Sequence, residues 1–290
     1  MLDRRYKTLA VLAKTLSYTK TAQHLFITQP AVSQQISNLE QELEVKLVAK
    51  NGVHIHLTSA GEQLVQYVDR ILLENEHVLQ QIRTNSEEPI IKIGATYSLS
   101  TFLLPRLIKN LLPTTTKIHT LIDNTAEILT ALRQGEVELG LVEGNFDKNE
   151  FDAITIQNEE FIGVTSQKNP LLDKTTITIA DLLPEVLLIR ESGSGTRAIF
   201  ANWLATQNYQ INEFNQQIEI ANPTTIIELL KSDVGISFMY KSLIKSELDK
   251  STLVELPLDG FKITHPINLI FLKESYFAKY YTEIAKKLSN

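Results

Sequence analysis

The sequence predicts an α/β chain that opens with an all-α-type winged helix-turn-helix, continues through one long helix and ends in an α/β body. Three observations carry this. Apolar residues recur at three- and four-residue steps through the first forty residues. A heptad-spaced stripe then runs from Leu64 to Ile82. Beyond Pro89 short apolar runs alternate with amphipathic stretches, the pattern of a parallel sheet with helices on its faces.

The 290 residues suit two domains, and 43% hydrophobic with 21% charged residues is ordinary for a soluble globular chain. The lack of cysteine excludes disulfides, thiolate metal sites and a cysteine nucleophile. No apolar run is long enough to span a membrane. The basic, briefly apolar start reads as a folded helix, because Lys14 interrupts the patch and no cleavage site follows. A cytoplasmic protein is expected. Net charge is −6, yet residues 1–60 carry seven Lys/Arg against four acids. A polyanion contact is therefore expected only there.

Taken in order, Leu9, Leu12, Ala13 and Leu16 mark one amphipathic helix that Ser17 and Tyr18 break. Thr19 is the expected cap of a short second helix ending at Phe26. Thr28 caps a third, with Pro30 tolerated in its first turn. Val32, Ile36, Leu39 and Leu43 form its buried stripe, and Gln29, Ser33, Gln34, Ser37 and Asn38 face the other way. Two short helices joined by a tight turn, the second with an amide-and-hydroxyl face, describe a helix-turn-helix. Gln and Asn can pair bidentately with adenine, and Ser can bond most base edges or a phosphate. The same spacing fits a solvated polar face. No Arg or Lys lies between Gln29 and Asn38, so A·T-biased contacts are expected. Val53, Ile55 and Leu57 then alternate with His54 and His56, an apolar-in, imidazole-out wing strand.

The stretch Leu9–Gly61, with YTKTAQHLFITQPAVSQQISNLEQELEVKL and HLTSAGE, resembles the winged helix-turn-helix of LysR-type transcriptional regulators. The resemblance implies duplex DNA as partner and a recognition helix over Thr28 to Leu43. It places base contacts at Gln29, Pro30, Ser33 and Gln34, with Lys20 and Ser37 near phosphates; the free amides of the helix start at Thr28 and Gln29 also suit a phosphate. The wing departs from the family, with Lys50, His54 and His56 where an Arg is usual. Histidines there make backbone contact pH-sensitive, operator affinity falling from about pH 6 to 8.

Ser59 and Glu62 spell an S-x-x-E capping box for the long helix, expected to end near Thr84. Leu64, Val68, Ile71, Asn75, Val78 and Ile82 form its seam. Either the helix packs on its own domain or it pairs with a second copy; an interdomain helix has little else to cover such a stripe, which favours pairing. Two recognition helices on one DNA face imply an interrupted, roughly palindromic operator. The resemblance adds that the family's linker helix dimerises and that full-length members are usually tetramers.

In the body, IIKIGA, KIHTLI, ELGLVEG, FIGVTS, VLLIR, QIEIAN, VGISFM and HPINLIFL read as strands. Helices are expected from Thr101 to Leu112, from Asn124 to before Gly135, from Gly195 to Gln207, from Thr224 to Leu230 and from Tyr276 to Leu288. Ligands in open α/β sheets sit beyond the carboxyl ends of strands. Three such ends bear hydroxyls or glycine: Thr96, Ser98 and Ser100; the ESGSGT turn after VLLIR; and Pro223 with Thr224 and Thr225. ESGSGT opens onto a helix N-terminus, which favours an anion, and is not a phosphate-binding Walker loop.

Residues 90–290 resemble, more weakly, the family's effector-binding domain with its periplasmic-binding-protein-like fold: lobe I at about 90–160 and 266–290, lobe II at about 164–262. Expected domains are thus 1–58, a linker at 59–88, and 89–290. RESGSGTR is similar to the branch that includes sulfur-assimilation and carbon-fixation regulators. By that resemblance a small anionic metabolite would meet Thr96, Ser98, Ser192, Gly193, Ser194 and Thr196, and further Asn222 and Thr224. Sulfite, sulfate, a phosphorylated sugar or a carboxylate would suit. Lys231, Ser232 and Asp233 stand where the family often has glycine, so the turn there is expected to differ. An α/β enzyme fused to a DNA-binding module is the alternative. His119 and His265 are solitary and the hydroxyls have no general base beside them, so no catalytic residue, metal or cofactor is expected.

Overall fold

A computed structural model of the chain describes residues 3–51, 54–84, 90–113 and 117–289. It divides into two compact units, Met1–Pro89 with Arg133–Gly135, and Ile90–Leu132 with Glu136–Asn290.

The first unit holds helices α1 (Arg4–Thr15), α2 (Tyr18–Leu25) and α3 (Gln29–Glu42), the antiparallel pair β1 (Val48–Asn51) and β2 (His54–Leu57), and the long α4 (Ser59–Thr84). Leu9, Leu12, Ile36, Leu39 and Leu47 form its core, with Ile55 and Leu57 of β2 packed against it and His54 and His56 exposed. Val53, expected on the same strand, lies outside the described residues. Leu16 and Leu43 leave their expected stripes: each is a helix C-cap, and both are exposed. Ser17, not Thr19, caps α2, accepting from the Lys20 amide. Buried Glu40 ties α3 to the wing, accepting from the Leu47 amide (2.9 Å), the Val48 amide (3.1 Å) and Lys46 Nζ (2.6 Å).

The cap of α4 also sits one residue earlier than expected. Thr58 Oγ1 accepts from the Gly61 amide at 3.0 Å and donates to the Lys46 carbonyl at 2.6 Å, so one hydroxyl starts the helix and anchors the wing. The α4 stripe is divided. Leu64 packs on the unit's own core and Val68 is fully buried, whereas Asn75 and Val78 are half-buried and Ile82 is 69% exposed.

The second unit is built from β3 (Ile91–Thr96), α5 (Tyr97–Phe102), α6 (Leu104–Leu111), β4 (Ile118–Asp123), α7 (Thr125–Arg133), β5 (Leu139–Val142) and β6 (Phe151–Ser166). It continues through α8 (Ile179–Leu182), β7 (Val186–Ile189), α9 (Gly195–Thr206), β8 (Gln216–Glu219), α10 (Pro223–Lys231) and β9 (Ile236–Tyr240), then α11 (Lys245–Asp249), β10 (Leu253–Glu255), β11 (Ile263–Leu272) and α12 (Ala278–Ser289). The described strands form one sheet ordered β4-β3-β5-β11-β6-β9-β7-β8, with β10 on β6. β3 pairs in parallel with β4 and β5, and β7 with β8 and β9. The sheet is not all-parallel as expected: β6 and β11 run antiparallel to each other from Phe151 to Phe161, and β6 continues antiparallel to β9 from Phe161 to Thr165, joining the two parallel groups of strands. The expected Thr101–Leu112 helix is two, starting at Tyr97 and broken at Leu103, just before Pro105. The turn after α10 places Asp233 in the left-handed region (φ 62°).

Candidate functional site

On the first unit, α3 begins at Thr28, whose hydroxyl accepts from the Ala31 amide at 3.4 Å. Its apolar positions Val32, Ile36 and Leu39 are buried, which turns the opposite side outward. Gln29, Pro30, Ser33, Gln34 and Ser37 are all exposed along that side. Gln34 Nε2 donates to Asn38 Oδ1 at 2.7 Å, one helical turn on, which pre-orients both amides. Lys20, Lys50, His54 and His56 are exposed as well. Lys50 Nζ lies 5.9 Å from the Tyr18 ring centre, a cation–π contact linking wing and α2.

On the second unit the strand ends of the two lobes meet. Thr96, at the end of β3, is fully buried and donates to Glu143 Oε2 at 2.5 Å. Ser98 is buried and accepts at 3.4 Å from Arg190 at the end of β7. Arg190 is buried too; its Nε and Nη2 fork onto Glu191 at 2.8 and 3.0 Å, and its guanidinium lies 5.3 Å from the Tyr97 ring centre. Ser194 and Thr196, both buried, share a hydroxyl hydrogen bond of 2.8 Å, and Ser194 caps α9.

The turn between β7 and α9 rests directly on the first lobe. The Gly195 amide donates to Thr125 Oγ1 at 3.2 Å, and the Ala126 amide to the Gly193 carbonyl at 3.2 Å. Thr125 Oγ1 in turn donates to the Glu143 carbonyl at 3.1 Å. Gly193 takes φ +88°, and a Cβ on Gly195 would lie 2.5 Å from the Glu143 carbonyl oxygen, so the glycines set the lobe-to-lobe distance.

Of the residues singled out in the sequence, Thr96, Ser98, Ser194 and Thr196 converge here. Ser192 and Gly193 belong to the same turn but are exposed. Asn222 and Thr224 are exposed and committed elsewhere, the Asn222 side chain capping α10 by accepting from the Thr224 amide at 2.8 Å. Glu143, Arg190 and Thr125 were missed, although all three stand just beyond apolar strand runs or at a helix start. Burial lifts the Glu143 carboxyl to about 7, outweighing the Thr96 hydrogen bond and the Arg190 charge that pull it down. Burial, with Glu143 and Glu159 nearby, pushes the Tyr240 hydroxyl up. His119 is exposed on β4, and no cluster of metal-ligating side chains occurs among the described residues.

Comparison with known proteins assigns both units. Residues 4–62 match the bacterial regulatory helix-turn-helix of the lysR family, and residues 84–280 match the LysR substrate binding domain. The chain is a LysR-type transcriptional regulator. Similar curated proteins include the HTH-type transcriptional regulator CysL of Bacillus subtilis, 25% identical over 91% of this chain and 89% of CysL. A probable RuBisCO transcriptional regulator of Trieres chinensis is 26% identical over 95% of this chain and 92% of its own. Among solved structures, ArgP from Mycobacterium tuberculosis superposes with a TM-score of 0.76 at 15% identity, covering 100% of this chain and 98% of that one. The fold of the regulator is thus that of full-length LysR proteins, a DNA-binding helix-turn-helix followed by a two-lobed effector domain. The family regulates transcription and is not a family of enzymes, so the fused-enzyme alternative falls. No described helix of the regulator is long and apolar enough to cross a membrane.

Proposed function

We propose that the regulator reads an interrupted, roughly palindromic operator and is controlled by a small anionic effector held between its two lobes. Gln29, Pro30, Ser33 and Gln34 reach base edges, while Lys20, Thr28, Ser37, Lys50, His54 and His56 meet the backbone. The exposed amide-and-hydroxyl side of α3, free of Arg and Lys, supports A·T-biased readout. The single observation that carries the effector reading is the set of buried polar groups at the facing strand ends: Thr96 and Ser98 on one side, Ser98 accepting from the buried Arg190 guanidinium, and the hydrogen-bonded Ser194 and Thr196 on the other. Buried hydroxyls can re-aim toward a ligand, and a desolvated guanidinium favours an oxyanion.

Two copies pair through the exposed half of α4, and pairs associate into a tetramer. Val68 already belongs to the unit's own core, so the seam left for a partner begins near Ile71 and includes Asn75, Val78 and Ile82. Ile82→Glu is expected to halve the assembly size in analytical ultracentrifugation without lowering thermal stability of the first unit. An unchanged assembly would move the interface elsewhere.

The effector reading is tested by titrating sulfate, phosphate and dicarboxylates against the full chain with and without operator DNA. An effector that shifts operator affinity must itself bind with an affinity that operator DNA changes by the same factor. Equal affinities in both titrations would remove the proposed control. A shallow dependence of operator affinity on salt would remove the backbone contacts.

A further inference from the structure

The cleft has an electrostatic peculiarity that the anionic reading alone leaves open. Around Glu143 the packed elements contribute Thr96 from β3, Arg190 and Glu191 from the end of β7, and Tyr240 from β9. Arg190 is the one cation among these groups, and its fork is already occupied by Glu191. With Glu143 ionised, an entering anion meets two carboxylates and a single guanidinium, which is repulsive where Glu143 and Arg190 are buried. With Glu143 neutral, the remaining Arg190 and Glu191 charges balance and Glu143 gains a hydroxyl donor.

We infer that the cleft takes up its anion together with one proton, which Glu143 holds, and so selects oxyanions that present a bare acceptor oxygen to that carboxyl. This rests on the anionic reading of the cleft and adds to it a ligand class and a stoichiometry. The proton comes from solvent and its acceptor is the Glu143 Oε atom not bonded by Thr96. Thr96 keeps its donation to the other oxygen. The empty-cleft carboxyl already titrates near 7, so uptake is nearly complete per anion bound in mildly alkaline solution and fades in acid. An ammonium-bearing ligand would do the reverse, releasing the proton to meet a carboxylate.

Sulfate is the suitable probe, because it does not itself titrate between pH 6 and 8.5. Calorimetric titration of the full chain in buffer pairs of different ionisation enthalpy counts the protons directly. The expected result is uptake approaching one proton at pH 8, with sulfate affinity falling about tenfold per pH unit above 7 and levelling off below. Glu143→Gln, which keeps a neutral hydrogen-bonding head, is expected to flatten the pH dependence. Sulfate binding that involves no proton, or that strengthens with pH, overturns the inference while leaving the anionic reading standing. Retention of the full slope in Glu143→Gln assigns the proton elsewhere and overturns it too. Failure of sulfate, phosphate and succinate alike to bind at pH 6 removes the anionic reading, and this inference with it. Should Glu143→Gln misfold, the proton count on the unaltered chain decides.

Discussion

Two buried glutamates show how the same side chain acquires opposite roles from its partners. Glu40 loses solvation on burial, but the Lys46 ammonium and the Leu47 and Val48 amides more than compensate, holding its carboxyl below the usual range. Its stabilisation is therefore present above the unfolded value near 4.5 and is lost as pH falls through the lower folded value. Glu40→Ala strands the two wing amides, an expected loss of about 1–3 kcal/mol at pH 7 that shrinks in acid, measurable by urea unfolding. Glu143 lies at the other extreme, raised to about 7. Between about 4.5 and 7 the folded chain binds the extra proton, so this residue weakens the fold as pH rises through that window and weakens it fully above it. The difference is on the order of 3 kcal/mol by the size of the shift. Glu143→Gln is expected to match the wild type near pH 4.5 and to exceed its stability at pH 8. Equal stability at both pH values would mean that Glu143 does not titrate there.

At the scale of elements, α3 separates two kinds of DNA contact that mutation can tell apart. Gln34 is exposed, its amide steadied by Asn38, and is not part of the unit's hydrophobic core. Gln34→Ala is expected to leave stability within about 0.5 kcal/mol. It should weaken operator binding by about 1–3 kcal/mol and relax base preference at one position. Lys20→Ala should instead weaken all sequences alike and reduce the salt slope by about one. Operator binding by Gln34→Ala at wild-type affinity and preference would make that side a plain solvated face. These helices were legible in the sequence because their apolar period survives in the fold: Leu9, Leu12, Val32, Ile36 and Leu39 are all buried. The caps were less legible, since Ser17 and Thr58 each have a second hydroxyl residue within two positions and only backbone geometry chooses between them. The first half of β6 was hidden for a different reason. Its polar segment Gln157–Glu160 shows no apolar run, yet Glu159 is buried and accepts hydrogen bonds from Gln157 Nε2 and the Ser242 amide. In the cleft, the hydroxyl-bearing strand ends were readable. The charges that govern them were not, because Glu143 and Arg190 owe their character to burial, which no local spacing encodes.

At the scale of the whole molecule, the proposed control depends on how closely the two lobes approach, and the glycine turn sets that approach. Gly195 faces backbone on its far side: an added methyl would lie 2.5 Å from the Glu143 carbonyl oxygen and 2.8 Å from Thr125 Oγ1. Backbone cannot swing aside as a flexible side chain can, so Gly195→Ala forces the lobes apart at this point. The hydrogen bonds from the Gly195 and Ala126 amides across the interface lengthen with it. If an anion acts by favouring the approached lobes, this variant should bind sulfate at least tenfold more weakly. A ligand shifts an equilibrium only by its differential affinity for the two states, so the factor by which sulfate alters operator affinity should also shrink toward one. The α3 face belongs to the other unit and is untouched by the substitution. Operator affinity without anion should therefore change far less than the coupling does. Fluorescence anisotropy with labelled operator, titrated at several sulfate concentrations, measures both quantities in one experiment. Full coupling retained by Gly195→Ala would show that the lobe contact is passive and that control reaches the operator by a route independent of lobe approach.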